Sequence, residues 1–138
     1  MTIEKTIPIL RIFDYEKAVE FYINWLGFEV VWEHHFEENT PVYMEITKDG
    51  LTLHLSEHHG DGTPGSRVFV WCKDLKEYHQ QLIDKKYKYN RPGFDETFYG
   101  SWSVEVVLSP KSHIHFSAPT DLFTNVISEG LSQFTCAI

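Results

Sequence analysis

Ile7-Pro-Ile-Leu-Arg-Ile-Phe-Asp14 is an apolar run that closes on an aspartate, and Tyr15-Glu-Lys-Ala-Val-Glu-Phe-Tyr22 follows it. The pattern returns sixty positions on (74 against 14), where Arg67-Val-Phe-Val-Trp-Cys-Lys-Asp74 runs into Leu75-Lys-Glu-Tyr-His-Gln-Gln-Leu82. A strand whose terminal Asp caps an amphipathic helix, repeated at about half the chain length, predicts two similar supersecondary modules packed together. Paired modules leave a cleft between them, so the repeat bears on function as well as on fold.

Working outward from the first copy, residues 7–13 read as a strand. Ala18, Phe21, Tyr22, Trp25 and Leu26 recur at helical spacing, and Gly27 stands where a helix C-terminus favours glycine. Phe28 to Phe36 and Val42 to Thr47 alternate as strands. Lys48-Asp49-Gly50 is a hairpin turn, and Leu51 to Leu55 alternates again. The first module is therefore βαβββ over about 5–57. Turn-rich residues 58–66 form a linker. The second module covers about 67–117. It has a strand at 67–72, a helix from Asp74 to about Lys86 and a loop at 90–97, then strands at about 102–108 and 113–117. Its helix turns Leu75, Tyr78, His79, Leu82 and Ile83 inward, and Glu77 is placed to close a capping box. The tail 118–138 has no counterpart in the first half, although Leu122, Phe123, Val126 and Ile127 have helical spacing.

The chain's 138 residues fit one domain, burying roughly two-thirds of the surface its unfolded form exposes. A content of 42% hydrophobic and 15% aromatic residues supplies a core with rings to spare. The net charge of −8 excludes a basic groove for nucleic acid, since phosphate binding needs clustered Lys and Arg. Cys72 and Cys136 form no CxxC pair and no zinc spacing, and Cys72 lies in an apolar strand as a buried thiol. Met1-Thr-Ile-Glu-Lys5 has no signal-peptide stretch, and no apolar run nears the ~18 residues that span a bilayer. The expectation is a soluble cytoplasmic protein that engages neither nucleic acid nor membrane.

The doubled βαβββ order resembles the vicinal oxygen chelate superfamily: glyoxalase I, extradiol dioxygenases, fosfomycin-resistance enzymes and bleomycin-resistance proteins. Ile7-Pro-Ile-Leu10, Ala18-Val-Glu-Phe-Tyr22, Leu26-Gly-Phe28, Phe98-Tyr-Gly100 and Ile114-His-Phe116 carry the likeness over roughly residues 5–117, and it is strongest to bleomycin-resistance proteins. The resemblance implies an α+β fold of two βαβββ modules with a concave mixed sheet, and a homodimer. The sequence departs from the family at Leu108-Ser-Pro-Lys-Ser112, where an Asp-Pro-x-Gly-Asn turn is usual. Pro8, which lacks an amide donor, suits an edge strand or an exchanged arm.

Metal-using members of the superfamily place ligands at positions that fall here on Ile7, His54, Arg67 and His115. Isoleucine offers no lone pair, and arginine is a permanent cation. His54 and His115 alone fall short of the three protein ligands that a catalytic zinc wants. The reading is no metal, no other cofactor and no catalytic residue, with His54 and His115 hydrogen-bonded in a polar cleft. The pairs His34-His35 and His58-His59 read as surface residues that chelate poorly.

Strand parity names the residues facing that cleft. Leu51, Leu53, Leu55, Val42, Met44, Ile46, Val68, Val70, Cys72, Val104, Val106, Ile114 and Phe116 take the core. Tyr43, Glu45, Thr52, His54, Ser56, Arg67, Phe69, Trp71, Ser103, Glu105, His113 and His115 face the other way. Stacked rings with a few charged groups suit a planar or cationic ligand. From the resemblance, Tyr99 in Phe98-Tyr99-Gly100 corresponds to an aromatic that stacks on the drug, and Phe36 to one that contributes across a dimer interface. Trp102 is near enough to join site or core. Alternatively, Phe69 and Trp71 fill a second core or a subunit interface, while Glu45, Glu105 and Arg67 form a structural ion-pair network.

Two functions remain open. One is a metal-free protein that sequesters an aromatic or cationic small molecule, such as a bleomycin-type antibiotic. The other is a metal-dependent lyase, isomerase or dioxygenase in which His54, His115 and Glu45 or Glu105 assemble a site.

Overall fold

A computed structural model describes residues 1–35, 40–108 and 112–120. The predicted strand end at Phe36, the turn at 109–111 and the tail with Leu122, Phe123, Val126, Ile127 and Cys136 lie outside the described residues.

The first module contains β1 (Ile9–Arg11), a helix opening as α1 (Tyr15–Ala18), β2 (Glu29–His35), β3 (Val42–Lys48) and β4 (Leu51–Ser56). The second contains β5 (Arg67–Trp71), α2 (Leu75–Asp84), β6 (Asp95–Glu96), β7 (Ser101–Leu108) and β8 (Ser112–Pro119). The sheets run β1-β4-β3-β2 and β5-β8-β7-β6, the same order twice, so the fold is α+β with two four-stranded mixed sheets. The described residues also separate into two compact units, 1–35 and 40–68 with 107, 108, 112 and 113, and 69–106 with 114–120.

β1 lies parallel to β4, with Leu10 opposite Leu55. Pro8 stands just ahead of this edge strand, and its carbonyl accepts from the His54 amide at 2.9 Å. Gly62 brings the linker against the same edge. A Cβ there would stand 3.1 Å from the Arg11 nitrogen and 3.2 Å from the Ile9 oxygen. A loop laid over an edge strand shields backbone groups that would otherwise invite another chain.

Asp14 caps α1 by accepting the Lys17 amide at 3.0 Å. The helix does not stay α-helical: Val19–Trp25 winds as a π-helix, with the Leu26 amide reaching back to the Phe21 oxygen. The predicted apolar stripe survives the change of pitch, since Ala18, Phe21, Tyr22, Trp25 and Leu26 are all buried. Gly27 takes a φ of 81°, the left-handed conformation that ends a helix cheaply only in glycine. At the β3–β4 turn Asp49 and Gly50 have φ of 48° and 88°, the paired positive values of a twisted two-residue hairpin.

The second helix departs from expectation. Asp74 occupies the N-cap position in a left-handed conformation (φ 55°) and makes no side-chain cap bond. Leu75 and Leu82 are buried and Tyr78 and His79 half-buried, but Ile83 is exposed. The stretch read as a loop at 90–97 holds the two-residue strand β6, which pairs Asp95 with Ser103 and Glu96 with Trp102.

Parity assigns the core well. Val42, Met44, Ile46, Leu53, Leu55, Val104 and Val106 are fully buried, with Ile114 and Phe116 nearly so. Val68, Val70 and Cys72 are only half-buried. Burial of each aliphatic side chain contributes about 1.5–3 kcal/mol, so these rows supply much of the core's stability. No described helix is long and apolar enough to cross a membrane.

Candidate functional site

The outward face of the first sheet is built by cross-strand pairing. Glu45 lies directly opposite His54, and Tyr43 opposite Ser56. The antiparallel register therefore sets three ionisable side chains side by side. Tyr43 Oη lies 2.9 Å from His54 Nδ1, and His54 Nε2 lies 2.9 Å from Glu45 Oε2. The His54 and Glu45 side chains are only 18% and 17% exposed, so both ring nitrogens are committed within the protein. Glu45 is thus held by a hydrogen bond to a histidine on the neighbouring strand.

Trp32, which the sequence reading assigned to neither face, joins this group. Register slips between Val30 and Trp32, so Trp32 rather than Val31 stands opposite Glu45. A bulge adds one residue and turns every following side chain to the other face. Trp32 then lies parallel to Tyr43, centroids 5.9 Å apart and planes 7° apart, and edge-on to His54 at 5.5 Å. The signal in the sequence was the adjacent pair Val30-Val31, which breaks alternation.

His58 and Asp61 are also additions. Ser56 is fully buried despite its outward parity, because the linker folds over it. Its hydroxyl donates to Asp61 Oδ2 at 2.7 Å and accepts the His58 amide at 3.0 Å. His58, expected on the surface, is half-buried, and its ring lies 6.4 Å from that of Tyr43. Burial, and then the nearby Asp61 carboxylate, hold the Tyr43 phenol above its ordinary pKa. On the other side of the sheet, where Glu33 stands opposite Met44, Tyr15 donates to Glu33 at 2.9 Å, a bond that raises the Tyr15 phenol likewise.

The second sheet presents rings instead. Phe69 and Trp71 are 54% and 50% exposed, at i and i+2 on β5. Phe69 lies 6.3 Å from Trp71 and 5.1 Å from His115, each pair within 18° of parallel. His115 Nε2 lies 3.2 Å from the Ser103 hydroxyl. Glu105 is half-buried on the same face of β7 by parity, and Arg67 is exposed at the start of β5. Trp102 belongs to the opposite face, stacked on Phe94 at 4.8 Å with Val104 and Val106 in its row. Tyr99 sits in the β6–β7 turn, 42% exposed and edge-on to Phe98. Phe36 lies outside the described residues. The Cys72 thiol donates to the Ser117 carbonyl at 3.4 Å, and burial pushes its pKa up.

This doubled architecture defines a class. A model of the glyoxalase superfamily protein family matches residues 1–122, and the chain belongs to that family. The bleomycin resistance determinant encoded on the transposon Tn5 is similar in fold at 19% identity, with 85% of this chain and 98% of that one covered (TM-score 0.63). A bleomycin-binding protein complexed with bleomycin is 18% identical over 86% of this chain and all of the other (TM-score 0.61). The antibiotic binding protein TnmS3 from Streptomyces sp. CB03234 is 16% identical over 87% and 100% (TM-score 0.62). No curated protein matches the chain.

Some members of the superfamily use a metal ion, but the residues here do not fit one. Ile7 has no donor atom and Arg67 is a cation, while His54 spends both ring nitrogens on Tyr43 and Glu45. Among the described residues no group of three or more His, Cys, Asp or Glu is arranged to hold an ion.

Proposed function

We propose that this protein binds a planar aromatic or cationic small molecule and holds it without altering it. This is sequestration of the kind the bleomycin-resistance likeness implies. The observation that carries the reading is the row His115, Phe69, Trp71, whose two large rings stand half in water on a rigid strand. Exposed, pre-ordered rings gain by stacking on a flat ligand, because both partners lose apolar surface to water at little entropic cost. The chain's acidic balance favours a cation among such ligands. Tyr99, Arg67, Glu105 and Phe36 remain candidate contacts, and assembly as a homodimer is part of the proposal. The metal-dependent alternative has less support, because His54 is saturated by its neighbours.

Titration calorimetry with bleomycin and a panel of flat cationic drugs tests the reading. Binding in the micromolar range or tighter, weakened by Trp71→Ala, is the expected result. No binding across the panel would remove it, and sedimentation of the same samples checks the dimer.

A further inference from the structure

We infer that the Glu45–His54–Tyr43 chain fixes the Tyr43 oxygen as a hydrogen-bond acceptor, so that the first module's face selects the N–H-bearing cationic end of an aromatic ligand over an anionic one. The inference rests on the binding reading above and names the ligand class for one face of it.

The argument is one of proton inventory. An ionised carboxylate only accepts, so the 2.9 Å contact between Glu45 and His54 Nε2 places a proton on Nε2. A neutral imidazole then has its lone pair on Nδ1. Tyr43 Oη, 2.9 Å from Nδ1, must donate its single proton there. With that proton committed, the phenol oxygen has only lone pairs left, and a ligand group approaching it must bring a donor. A carboxylate or phenolate would meet repulsion instead.

The surroundings agree with this polarity. Burial and Asp61 favour the protonated phenol, which keeps the donor to His54 in place. Asp61 is itself fixed by Ser56. Trp32, 41% exposed and parallel to Tyr43, offers a ring face beside the oxygen, and a cation over such a face is attracted by the ring quadrupole. The bulge in β2 that delivers Trp32 to this face is what puts ring and acceptor together.

The test uses two probes with one ring system, 2-naphthylmethylammonium and 2-naphthoate. They are titrated at about pH 8, above the ~6.5 of an ordinary imidazole. The ammonium is expected to bind at least about tenfold tighter, the scale of one charge-assisted hydrogen bond. Net charge alone would also favour a cation, so the discriminating variant is Tyr43→Phe, which leaves charge unchanged and should bring the ratio below about threefold. Glu45→Gln, whose amide can donate or accept, should lower it as well. The ring nitrogens of His54, read by 15N NMR without any ligand, should show the proton on Nε2, and a proton on Nδ1 overturns the inference directly. Equal binding of both probes, or a ratio unmoved by Tyr43→Phe, overturns it while leaving aromatic binding intact. If neither probe binds, the binding reading falls and the inference with it.

Discussion

β3 and β4 in the first module and β7 and β8 in the second use one pattern with different contents. Thr52-Leu-His54-Leu-Ser56 corresponds to His113-Ile-His115-Phe-Ser117, and in each the histidine faces outward between two buried apolar residues. The neighbouring strand differs. His54 meets Glu45 and Tyr43, whereas His115 meets Ser103, and Ser117 meets Ser101 at 2.9 Å. One histidine is locked between a carboxylate and a phenol, while the other is held by a weak hydroxyl contact and a flat contact with Phe69. Equivalent backbone thus yields a polar, proton-ordered face in one module and a stacking face in the other, and the identity of two cross-strand partners decides which.

The sharpest way to break this comparison is to remove each histidine. His54→Ala strands a largely buried carboxylate and a phenol, and should lower stability by about 2–3 kcal/mol in urea unfolding. His115→Ala leaves a hydroxyl that water can satisfy and should cost under about 1 kcal/mol. Equal losses would mean that the two faces are not energetically distinct.

Ring removal should have the opposite asymmetry. Trp71→Ala should weaken binding of a flat ligand by about 2 kcal/mol, roughly 30-fold, with little change in unfolding. A full loss of fold instead of affinity would make Trp71 a core residue. Gly62→Ala probes the linker that covers the first sheet alone. Its Cβ would meet backbone atoms of Arg11 and Ile9, so a loss of about 1–2 kcal/mol is expected by thermal unfolding.

A small gain belongs to the first module's core. Tyr22 is fully buried, and its hydroxyl is without a hydrogen-bond partner among the described residues, so Tyr22→Phe should stabilise by about 1 kcal/mol, raising Tm by about 3 °C. Burial also raises the Tyr22 phenol pKa above its ordinary value. The native state therefore holds this proton longer than the unfolded chain does. The contribution is complete below about pH 10 and is lost as pH rises from there through the higher native value. The variant should lose less stability than the parent across that alkaline range, and identical alkaline profiles would refute the assignment.

Much of this was legible from residues alone. Alternation placed Val42, Met44, Ile46, Leu53 and Leu55 inside, because the two-residue period of a strand is a local property. Helical spacing found the Ala18–Leu26 stripe even though the helix is partly a π-helix, since the buried face tolerates a small change in pitch. Asp49-Gly50 announced its turn by the φ values those residues accept. Tyr43, Glu45 and His54 followed from the same parity, as did Phe69, Trp71 and His115.

What escaped was set by partners distant in sequence. Trp32 changed faces through a bulge defined only against β3. His58 and Asp61 gained their roles when the linker folded over Ser56, and Asp95–Glu96 became a strand only by pairing with β7. Trp102, equally suited to site or core by composition, was assigned by its stack on Phe94. The sequence by itself determined the first module's βαβββ order, the repeat of its strand–helix opening in the second, and the apolar side of most regular strands, because these follow from short-range periodicity and turn chemistry. Only the tertiary structure decided which polar side chains meet, since a hydrogen bond of about 3 Å depends on cross-strand register that no single strand encodes.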